Sequence, residues 1–225
     1  MNPQTSILST KTLSVAQRQV FIDADIDLLE QDFIEISNTD FKLENIYENL
    51  IFSSQNAVFS LLEQQNLEHL KSKKIFCVGI KTMELLEQNG FKVDVYLDYA
   101  SELAEIITLI YNQESFTFFS GNLRKDTLPQ ALKSAKIKFN EIEVYQTNLA
   151  PYKISDLEKF DGIMFFSPSG AESYLKDNKI KTETCFCIGD TTADYLKNKK
   201  IKNIVIADSP TIDDLVYDTI QFYLN

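Results

Sequence analysis

Small polar residues follow four apolar runs in this sequence, and each cluster stands directly before a helical pattern. Ser54 follows one run and Ser167 another, while two further runs lead through a glycine to Thr82 and Thr192. A strand-to-helix turn of this kind leaves backbone N–H groups unpaired at the start of the helix, and the helix dipole favours an anion there. These residues therefore suggest recognition of a ligand that carries several carboxylates or phosphates.

The four turns form two pairs that repeat in order along the chain. Residues 51–57 return as residues 165–171, and residues 77–82 return as residues 187–192. Two ordered matches at nearly one offset indicate duplicated α/β units rather than chance. Helix capping remains the alternative explanation for any single turn, but the ordered repetition makes capping less able to explain all four.

The composition limits the number of domains and the kind of protein that this chain can be. The chain has 225 residues, 44% of them hydrophobic, with 16 Phe and 10 Tyr, which is enough for one large domain or two small ones with packed cores. No apolar run reaches the roughly 18 residues of a membrane span. The first six residues lack a basic segment followed by an apolar one, so we expect no secretory signal and a cytoplasmic location.

The formal net charge is −11, and no basic stripe or arm is visible. Nucleic acid is therefore not an expected partner. An anionic ligand would have to be held by local features that oppose the overall charge. Helix N-termini and a few cations such as Lys11, Lys81, Arg124 and Lys125 are the available ones.

Metal and cysteine chemistry are not indicated. Cys77, Cys185 and Cys187 each lie within or beside an apolar run and are expected to be buried, reduced thiols. The single histidine, His69, lies in a polar helical stretch and is expected to be solvated. We therefore predict no metal site, no cofactor and no histidine-based hydrolase triad.

Strand and helix patterns alternate along the whole chain, which favours parallel sheets with helices on both faces. Capping signals mark several helix ends: Ser14 with Gln17, Ser101, Asp126, and Gly90 after a helix. The predicted strands are 6–11, 32–37, 49–52, 74–78, 93–96, 115–119, 141–145, 162–166, 184–188 and 201–207. The predicted helices are 56–65, 82–88, 102–111, 126–135, 171–176, 191–198 and one that opens at 211, and residues 17–21 are predicted to form a helix or a turn.

The repeat divides these elements into two domains. Residues 40–145 form one unit, and residues 1–37 together with 150–225 form the other, with Pro151 at the second crossing. The predicted fold is two flavodoxin-like parallel-sheet α/β domains from an internal duplication, one inserted in the other and joined by a two-stranded linker. Ligands in such sheets bind at the carboxyl ends of the strands, so we expect the repeated turns to face one cleft.

Six segments, taken in order, resemble the uroporphyrinogen-III synthase family. They are 52–57, 78–82, 121–129, 144–147, 166–170 and 188–193, and together they span nearly the whole chain. Each is weak alone, whereas six in the right order and spacing make a specific signal. Two positions depart from the family pattern. Asp190 stands where the family usually has proline or a small residue, and Lys11 stands where many bacterial members have arginine, whose planar fork suits a carboxylate.

The resemblance implies a reaction. The substrate would be hydroxymethylbilane, a linear tetrapyrrole with eight carboxylates. The enzyme would expel its terminal hydroxyl as water, invert ring D through a spiro intermediate and close the macrocycle to uroporphyrinogen III, without a metal or organic cofactor. Tyr145 aligns with the family's tyrosine and becomes the candidate acid, because a neutral phenol can donate to a leaving hydroxyl. Packing in a strand at the domain crossing is its alternative role.

The resemblance also implies a set of substrate contacts. The substrate-binding candidates are Lys11, Ser54, Thr82, Asn122, Ser167, Ser169, Gly170 and Thr192. Helix capping is the alternative for the serines and threonines, and Arg124 is expected to form a surface ion pair instead. We expect a monomer that makes at most transient contact with hydroxymethylbilane synthase. A non-catalytic binding protein for a polycarboxylate or tetrapyrrole, or a regulatory protein on the same fold, is the alternative function.

Overall fold

A computed structural model of the protein describes residues 4–155 and 157–224. These residues divide into two compact units. Unit 1 comprises the described residues up to Glu35 and from Asn148 onwards, and unit 2 comprises Ile36–Thr147. The chain leaves unit 1, builds the whole of unit 2 and then returns, so unit 2 is an insertion within unit 1.

Strands and helices alternate throughout the described residues. The strands are β1 (Ser6–Ser9), β2 (Asp27–Glu30), β3 (Ile34–Asn38), β4 (Asn49–Phe52), β5 (Lys74–Val78), β6 (Val93–Leu97), β7 (Ser115–Gly121), β8 (Lys138–Leu149), β9 (Gly162–Phe165), β10 (Thr184–Cys187) and β11 (Ile204–Ile206). The helices are α1 (Val15–Asp23), α2 (Gln55–Leu62), α3 (Glu68–Lys71), α4 (Ile80–Gln88), α5 (Ala100–Ile110), α6 (Thr127–Ser134), α7 (Pro168–Asp177), α8 (Asp190–Asn198) and α9 (Ile212–Leu224).

Unit 1 is built on a five-stranded parallel sheet with the order β11-β10-β9-β1-β2. Alternate residues of β9 enter different cores: Ile163 and Phe165 pack on one face, and Met164 packs on the other with Ile7 and Phe186. Both faces are covered, which explains why this strand is a continuous apolar run rather than an alternating one.

Unit 2 is built on a six-stranded sheet with the order β3-β8-β7-β4-β5-β6, in which β4 to β8 pair in parallel. Its central strand β4 also serves two cores. Leu50 and Phe52 pack on one face, while Ile51 packs on the other with Phe76. Strands β3 and β8 are neighbours in this sheet, and both carry the chain across the boundary between the units.

The two sheets have the same spatial order when their strands are paired through the sequence repeat. Strands β9, β10 and β11 correspond to β4, β5 and β6, and the strands on the other side of the centre, β1 and β2, correspond to β7 and β8. The chain therefore enters the two sheets at different positions: the first strand of unit 1, β1, takes the place of β7, whereas the first of the parallel strands in unit 2 is β4. Counted along the chain, it has the flavodoxin order 2-1-3-4-5, whereas the five parallel strands of unit 2 count 3-2-1-4-5.

The parallel α/β prediction is confirmed, and so are several local signals. The capping box of Ser14 and Gln17 is present, and Gly90 has a φ of 81°, as a left-handed helix end requires. The prediction that Ser101 caps α5 was wrong, whereas Asp126 is the N-cap residue of α6 as predicted. Helix α5 starts at Ala100, so Ser101 lies inside it, and Asp126 occupies the cap position of α6 without a capping hydrogen bond because it contacts Arg124.

Strand β2 was not predicted, because its sequence Asp-Leu-Leu-Glu has none of the β-branched or aromatic residues typical of strands. Its parallel pairing with β1 makes it a strand. His69 is exposed and the three thiols are buried, both as expected. No helix within the described residues is long and apolar enough to cross a membrane.

Candidate functional site

The turns after β1 and β9 lie together at the carboxyl edge of the unit 1 sheet. Ser167 caps helix α7, because its hydroxyl accepts a 3.0 Å hydrogen bond from the backbone N–H of Gly170. The Ser169 hydroxyl lies 3.0 Å from the same oxygen. A Cβ atom at Gly170 would lie 3.4 Å from the Ser167 hydroxyl and 3.8 Å from that of Thr10, so this turn contacts the end of β1.

The neighbouring turn, after β10, opens helix α8 in a different way. Its N-cap is Gly189, which supplies no side-chain cap, so the first N–H groups of the helix are not bonded by a cap. Thr192 is 1% exposed, and its hydroxyl is buried without a hydrogen-bond partner among the described residues. Asp190 is exposed in the first turn of the same helix. Open N–H groups and an unpaired hydroxyl here suit an anionic ligand, while Asp190 opposes it.

Lys11 follows β1 at this edge and is exposed. The turn is held by the Ser9 hydroxyl, which donates a 2.5 Å hydrogen bond to the carbonyl of Lys11. Within the described residues no carboxylate forms an ion pair with the Lys11 ammonium group, so this cation is available to a ligand.

Unit 2 repeats the two kinds of helix start. Ser54 caps α2 by accepting a 3.2 Å hydrogen bond from the N–H of Asn56. Helix α4 follows Gly79, which has a φ of 84° and provides no side-chain cap. Thr82 is 4% exposed in the first turn of that helix, in the place that Thr192 takes in unit 1. Each unit thus has one capped and one uncapped helix start on adjacent strands.

Asn122 ties the ends of two strands together. Its side-chain oxygen accepts a 2.9 Å hydrogen bond from the N–H of Thr147, and its side-chain nitrogen donates a 3.3 Å bond to the carbonyl of the same residue. Both polar atoms of the amide are therefore engaged with the backbone of β8. Any contact of Asn122 with a ligand competes with these two bonds.

Tyr145 lies on β8, close to the Asn122–Thr147 contact. It is 9% exposed, and its ring belongs to the core cluster that contains Phe119 and Val144. Among the hydrogen bonds of the described residues, none involves the Tyr145 hydroxyl. The phenol is thus held by packing of its ring, and its O–H group is free to donate to a ligand.

A cavity of about 340 Å³ adjoins the end of β7, and a charged network lines it. The Arg124 guanidinium donates to both oxygens of Glu141, at 2.5 and 3.1 Å, and also contacts Asp126. The Ser120 hydroxyl donates to Glu141 at 2.7 Å. Burial alone raises the pKa of Glu141, but the bonds from Arg124 and Ser120 outweigh it and lower that pKa. Arg124 therefore forms the expected ion pair and is not free to bind a ligand carboxylate.

The sequence-derived candidates separate by unit. Unit 1 holds Lys11, Ser167, Ser169, Gly170 and Thr192, and unit 2 holds Ser54, Thr82, Asn122 and Tyr145. All but Tyr145 follow parallel strands and so lie at the carboxyl edge of their own sheet, while Tyr145 lies within β8, opposite the end of β7. Sequence reasoning did not single out Thr10, Ser60 or Gly121. Thr10 lies beside Gly170, Gly121 is paired with Tyr145, and the Ser60 hydroxyl donates to the carbonyl of Val144, the residue before Tyr145. For Gly121, the glycine at the end of an apolar strand was the available signal.

Comparisons with known proteins cover most of the chain. A family model described as uroporphyrinogen-III synthase HemD matches residues 21–217. A protein of Saccharomyces cerevisiae named uroporphyrinogen-III synthase is 28% identical over 227 residues, covering 86% of this chain and 82% of the yeast protein. One of the same name from Chlorobaculum parvum is 25% identical over 183 residues, covering 72% and 74%. The crystal structure of uroporphyrinogen-III synthetase from Helicobacter pylori aligns with a TM-score of 0.76 at 23% identity, covering 97% of this chain and 100% of that one, which shows a shared fold.

Proposed function

The chain belongs to the uroporphyrinogen-III synthase family, and we propose that it cyclises the linear tetrapyrrole hydroxymethylbilane to uroporphyrinogen III. The observation that carries this proposal is the family match over residues 21–217. The match includes both uncapped helix starts and Tyr145.

Substrate binding is assigned to the polar turns. A ligand with eight carboxylates needs many donors, and helix N-termini supply backbone N–H groups without requiring a positive net charge. Helices α4 and α8 begin without side-chain caps, so we assign a carboxylate to each start, with Thr82 and Thr192 donating their hydroxyls. Lys11 supplies a cation. The remaining proposed contacts are Ser54, Asn122, Ser167, Ser169 and Gly170.

Tyr145 is the proposed general acid for loss of the terminal hydroxyl. The electron-rich pyrrole donates an electron pair toward the carbon that carries the hydroxyl, and the C–O bond breaks. The oxygen leaves as water with the proton of the phenol. A positioned acid of this kind contributes about 10²–10⁴-fold in rate. The free Tyr145 hydroxyl supports this role, because a phenol already bonded within the protein would have to break that bond first.

The rest of the reaction depends on how the substrate is held. The carbon freed by water loss bonds to the substituted carbon of ring D, giving a spiro intermediate. The older bond of the spiro carbon, to the bridge carbon that leads to ring C, then breaks and re-forms at the unsubstituted α-carbon of ring D, and that carbon loses its proton. Closure without positioning would use the unsubstituted carbon and give the type I isomer. Holding two reacting carbons together supplies roughly 7–11 kcal/mol in the best intramolecular cases.

We also propose where the enzyme acts and in which oligomeric state. We place the enzyme in the cytoplasm as a monomer that takes its unstable substrate from the preceding synthase by transient contact. The net charge of −11 supports a partner other than nucleic acid. Size-exclusion chromatography with light scattering tests the monomer directly, and a stable dimer at micromolar concentration would refute it.

A coupled assay tests the function. Freshly generated hydroxymethylbilane is added, the products are oxidised, and types I and III are separated. We expect a type III excess proportional to enzyme, which Tyr145→Phe reduces by about 10²–10⁴-fold if the phenol is the acid. Type I alone, formed at the spontaneous rate, would refute the synthase and leave a tetrapyrrole-binding protein on the same fold.

A further inference from the structure

Strand β8 contains a bulge next to Tyr145. In its parallel pairing with β7, Ser120 is opposite Glu143 but the next residue, Gly121, is opposite Tyr145. Val144 is therefore an extra residue without a partner across the ladder. Because of it, two consecutive side chains, those of Val144 and Tyr145, pack in the same core cluster on one face of the sheet. A regular strand would turn one of them to the other face of the sheet.

The bulge is fixed by hydrogen bonds from outside the strand. The carbonyl of Val144 accepts a 2.6 Å bond from the Ser60 hydroxyl on α2 and a 3.1 Å bond from the N–H of Thr39. The Thr39 hydroxyl donates a further 2.6 Å bond to the carbonyl of Glu143. Ser60 is fully buried and its hydroxyl also contacts the side-chain oxygen of Asn38, so it is held between two protein acceptors and is not a solvated surface group.

Gly121 makes room for the ring that the bulge turns inward. A Cβ atom at this position would lie 2.3 to 2.8 Å from three ring carbons of Tyr145. Ordinary carbon contacts begin near 3.5 Å, so any side chain here would force the ring to move by about 1 Å. The glycine is thus required by the close approach of Tyr145 to the backbone of β7.

We propose that Gly121 and Ser60 are positioning residues for Tyr145: Ser60 fixes the bulge that turns the phenol inward, and Gly121 provides the space in which its ring lies. This inference rests on the proposed acid role of Tyr145. The two residues affect the rate through the position of the phenol, since a misplacement of about 1 Å costs about 10²-fold in rate. Neither residue needs to touch the substrate.

A double-mutant comparison tests the inference. Gly121→Ala is expected to lower kcat for type III formation by about 10²-fold with little change in KM, and Ser60→Ala by a smaller factor. In a Tyr145→Phe background the same two changes are expected to have no more than about a twofold effect, because residues that act through one group are not additive. The inference would be overturned if the two changes lowered kcat by the same factors in the Tyr145→Phe background as in the wild-type protein. A wild-type kcat in Gly121→Ala would overturn it as well.

Gly162→Ala is the matched control. A Cβ atom there would lie 2.8 Å from the Phe186 ring and 2.9 Å from the Tyr223 oxygen, which is a similar clash but in unit 1 and at the amino end of β9. It is expected to lower the melting temperature and to change kcat by the same factor with or without the Tyr145 hydroxyl. If Gly162→Ala lowers kcat as much as Gly121→Ala does, and if that effect also disappears in the Tyr145→Phe background, then destabilisation alone explains the result.

A readout without turnover separates this inference from the proposed function. Ring signals of ¹³C-labelled tyrosine identify Tyr145 by their absence in Tyr145→Phe. Gly121→Ala and Ser60→Ala are expected to shift that signal, whereas Gly162→Ala leaves it in place. If the wild-type protein forms no type III product, the proposed function fails, and the shifts still decide whether the two residues position the ring. Unchanged signals in both variants would refute the positioning role.

Discussion

Thr82 and Thr192 occupy equivalent places in the two units. Each is the third residue of a helix that begins directly after a glycine, and the N–H of each donates to that glycine's carbonyl, at 3.0 Å for Thr82 and 3.1 Å for Thr192. They differ in one respect. Only for Thr192, of these two, is the hydroxyl buried and unpaired within the described part of the chain. The Thr192 hydroxyl is thus an unused donor in the absence of a ligand.

Thr192→Val is therefore expected to stabilise the protein while weakening substrate binding. A buried, unpaired polar group costs about 1–3 kcal/mol, so its removal should raise the free energy of unfolding by about 1 kcal/mol. Loss of a hydrogen bond to a carboxylate should raise KM about tenfold or more. Urea denaturation and steady-state kinetics measure the two effects. A destabilised Thr192→Val variant with unchanged KM would mean that the hydroxyl is structural, and Thr192→Ser serves as the control that keeps it.

Asp190→Asn is expected to tighten substrate binding. Asp190 is exposed in the first turn of α8, where its charge repels a carboxylate at the same helix start. The substitution also removes a favourable charge–dipole interaction, which should cost the free folded protein about 0.3–1 kcal/mol. KM measured at low and high salt tests this, because the gain should shrink as ions screen the charge. An increase in KM at low salt would contradict the assignment of a carboxylate to this helix.

Two substitutions of Ser167 separate capping from substrate contact. Ser167→Ala removes the cap of α7 and should lower the free energy of unfolding by about 0.5–2 kcal/mol, whereas Ser167→Gly should cost only a few tenths, since glycine is tolerated at this position. Both variants lack the hydroxyl, so both should raise KM if it binds substrate. A Ser167→Gly variant with wild-type stability and wild-type KM would show that Ser167 only caps the helix.

The Arg124–Glu141 ion pair should make stability depend on acid. The folded-state pKa of Glu141 is lowered below its usual value of 4.5, so the carboxylate contributes stability above that pH. This contribution is lost as the pH falls below 4.5 through the lowered pKa. Glu141→Gln should cost about 1–2 kcal/mol at pH 7, and the deficit should shrink as the pH falls below 4.5.

Urea denaturation at a series of pH values measures that difference. Glu143→Gln is the matched control, because Glu143 is on the same strand and lines the same cavity, but within the described part of the chain its carboxylate accepts a hydrogen bond only from Gln146. Its effect should stay within about 0.5 kcal/mol at every pH. Parallel curves for wild type and Glu141→Gln from neutral to acid pH would exclude a stabilising role for the pair.

The three thiols should be unreactive in the folded protein. Burial raises the pKa of Cys77, Cys185 and Cys187 to about 12, so only about one molecule in 10⁴ carries a given thiolate at pH 8. Titration with a coloured disulfide reagent should find no thiol in native protein and three in urea. Stability should also fall between pH 9 and pH 12, since the unfolded thiols ionise first. Rapid labelling of any one thiol in native protein would contradict the burial of that site.

Local sequence patterns predicted most of the fold because both sheets are covered on two faces. Continuous apolar runs such as Gly162–Phe165, followed by small polar residues, are typical of buried parallel strands, and the repeat then assigned the remaining strands to two sheets. Strand β2 escaped because its pairing partner, and not its composition, makes it extended. No local pattern contains that information.

The candidate site was less predictable than the fold. Types and spacing identified Thr82 and Thr192, since these residues follow glycines and strand ends, whereas Tyr145 was identified by the resemblance to the family's tyrosine. The residues that position Tyr145 were not visible in the sequence. Ser60 lies 84 residues before Val144, and its hydroxyl acts on Tyr145 only through the hydrogen bond to the Val144 carbonyl. Two apolar residues in a row on a polar strand, Val144 and Tyr145, were the one sign of a bulge. Without the facing strand such a pair is equally typical of a strand end.

The insertion of unit 2 has a consequence for the order in which the protein is made. Strand β1 ends at Ser9, and its neighbour β9 begins only at Gly162. At ribosomal speeds of about 5–20 residues per second, β1 waits on the order of ten seconds for that neighbour. All of unit 2 emerges in between. Ribosome-bound chains stalled with residues up to about 160 outside the exit tunnel should therefore hold unit 2 in a protease-resistant state, while β1 is still cut, so the inserted unit folds before unit 1.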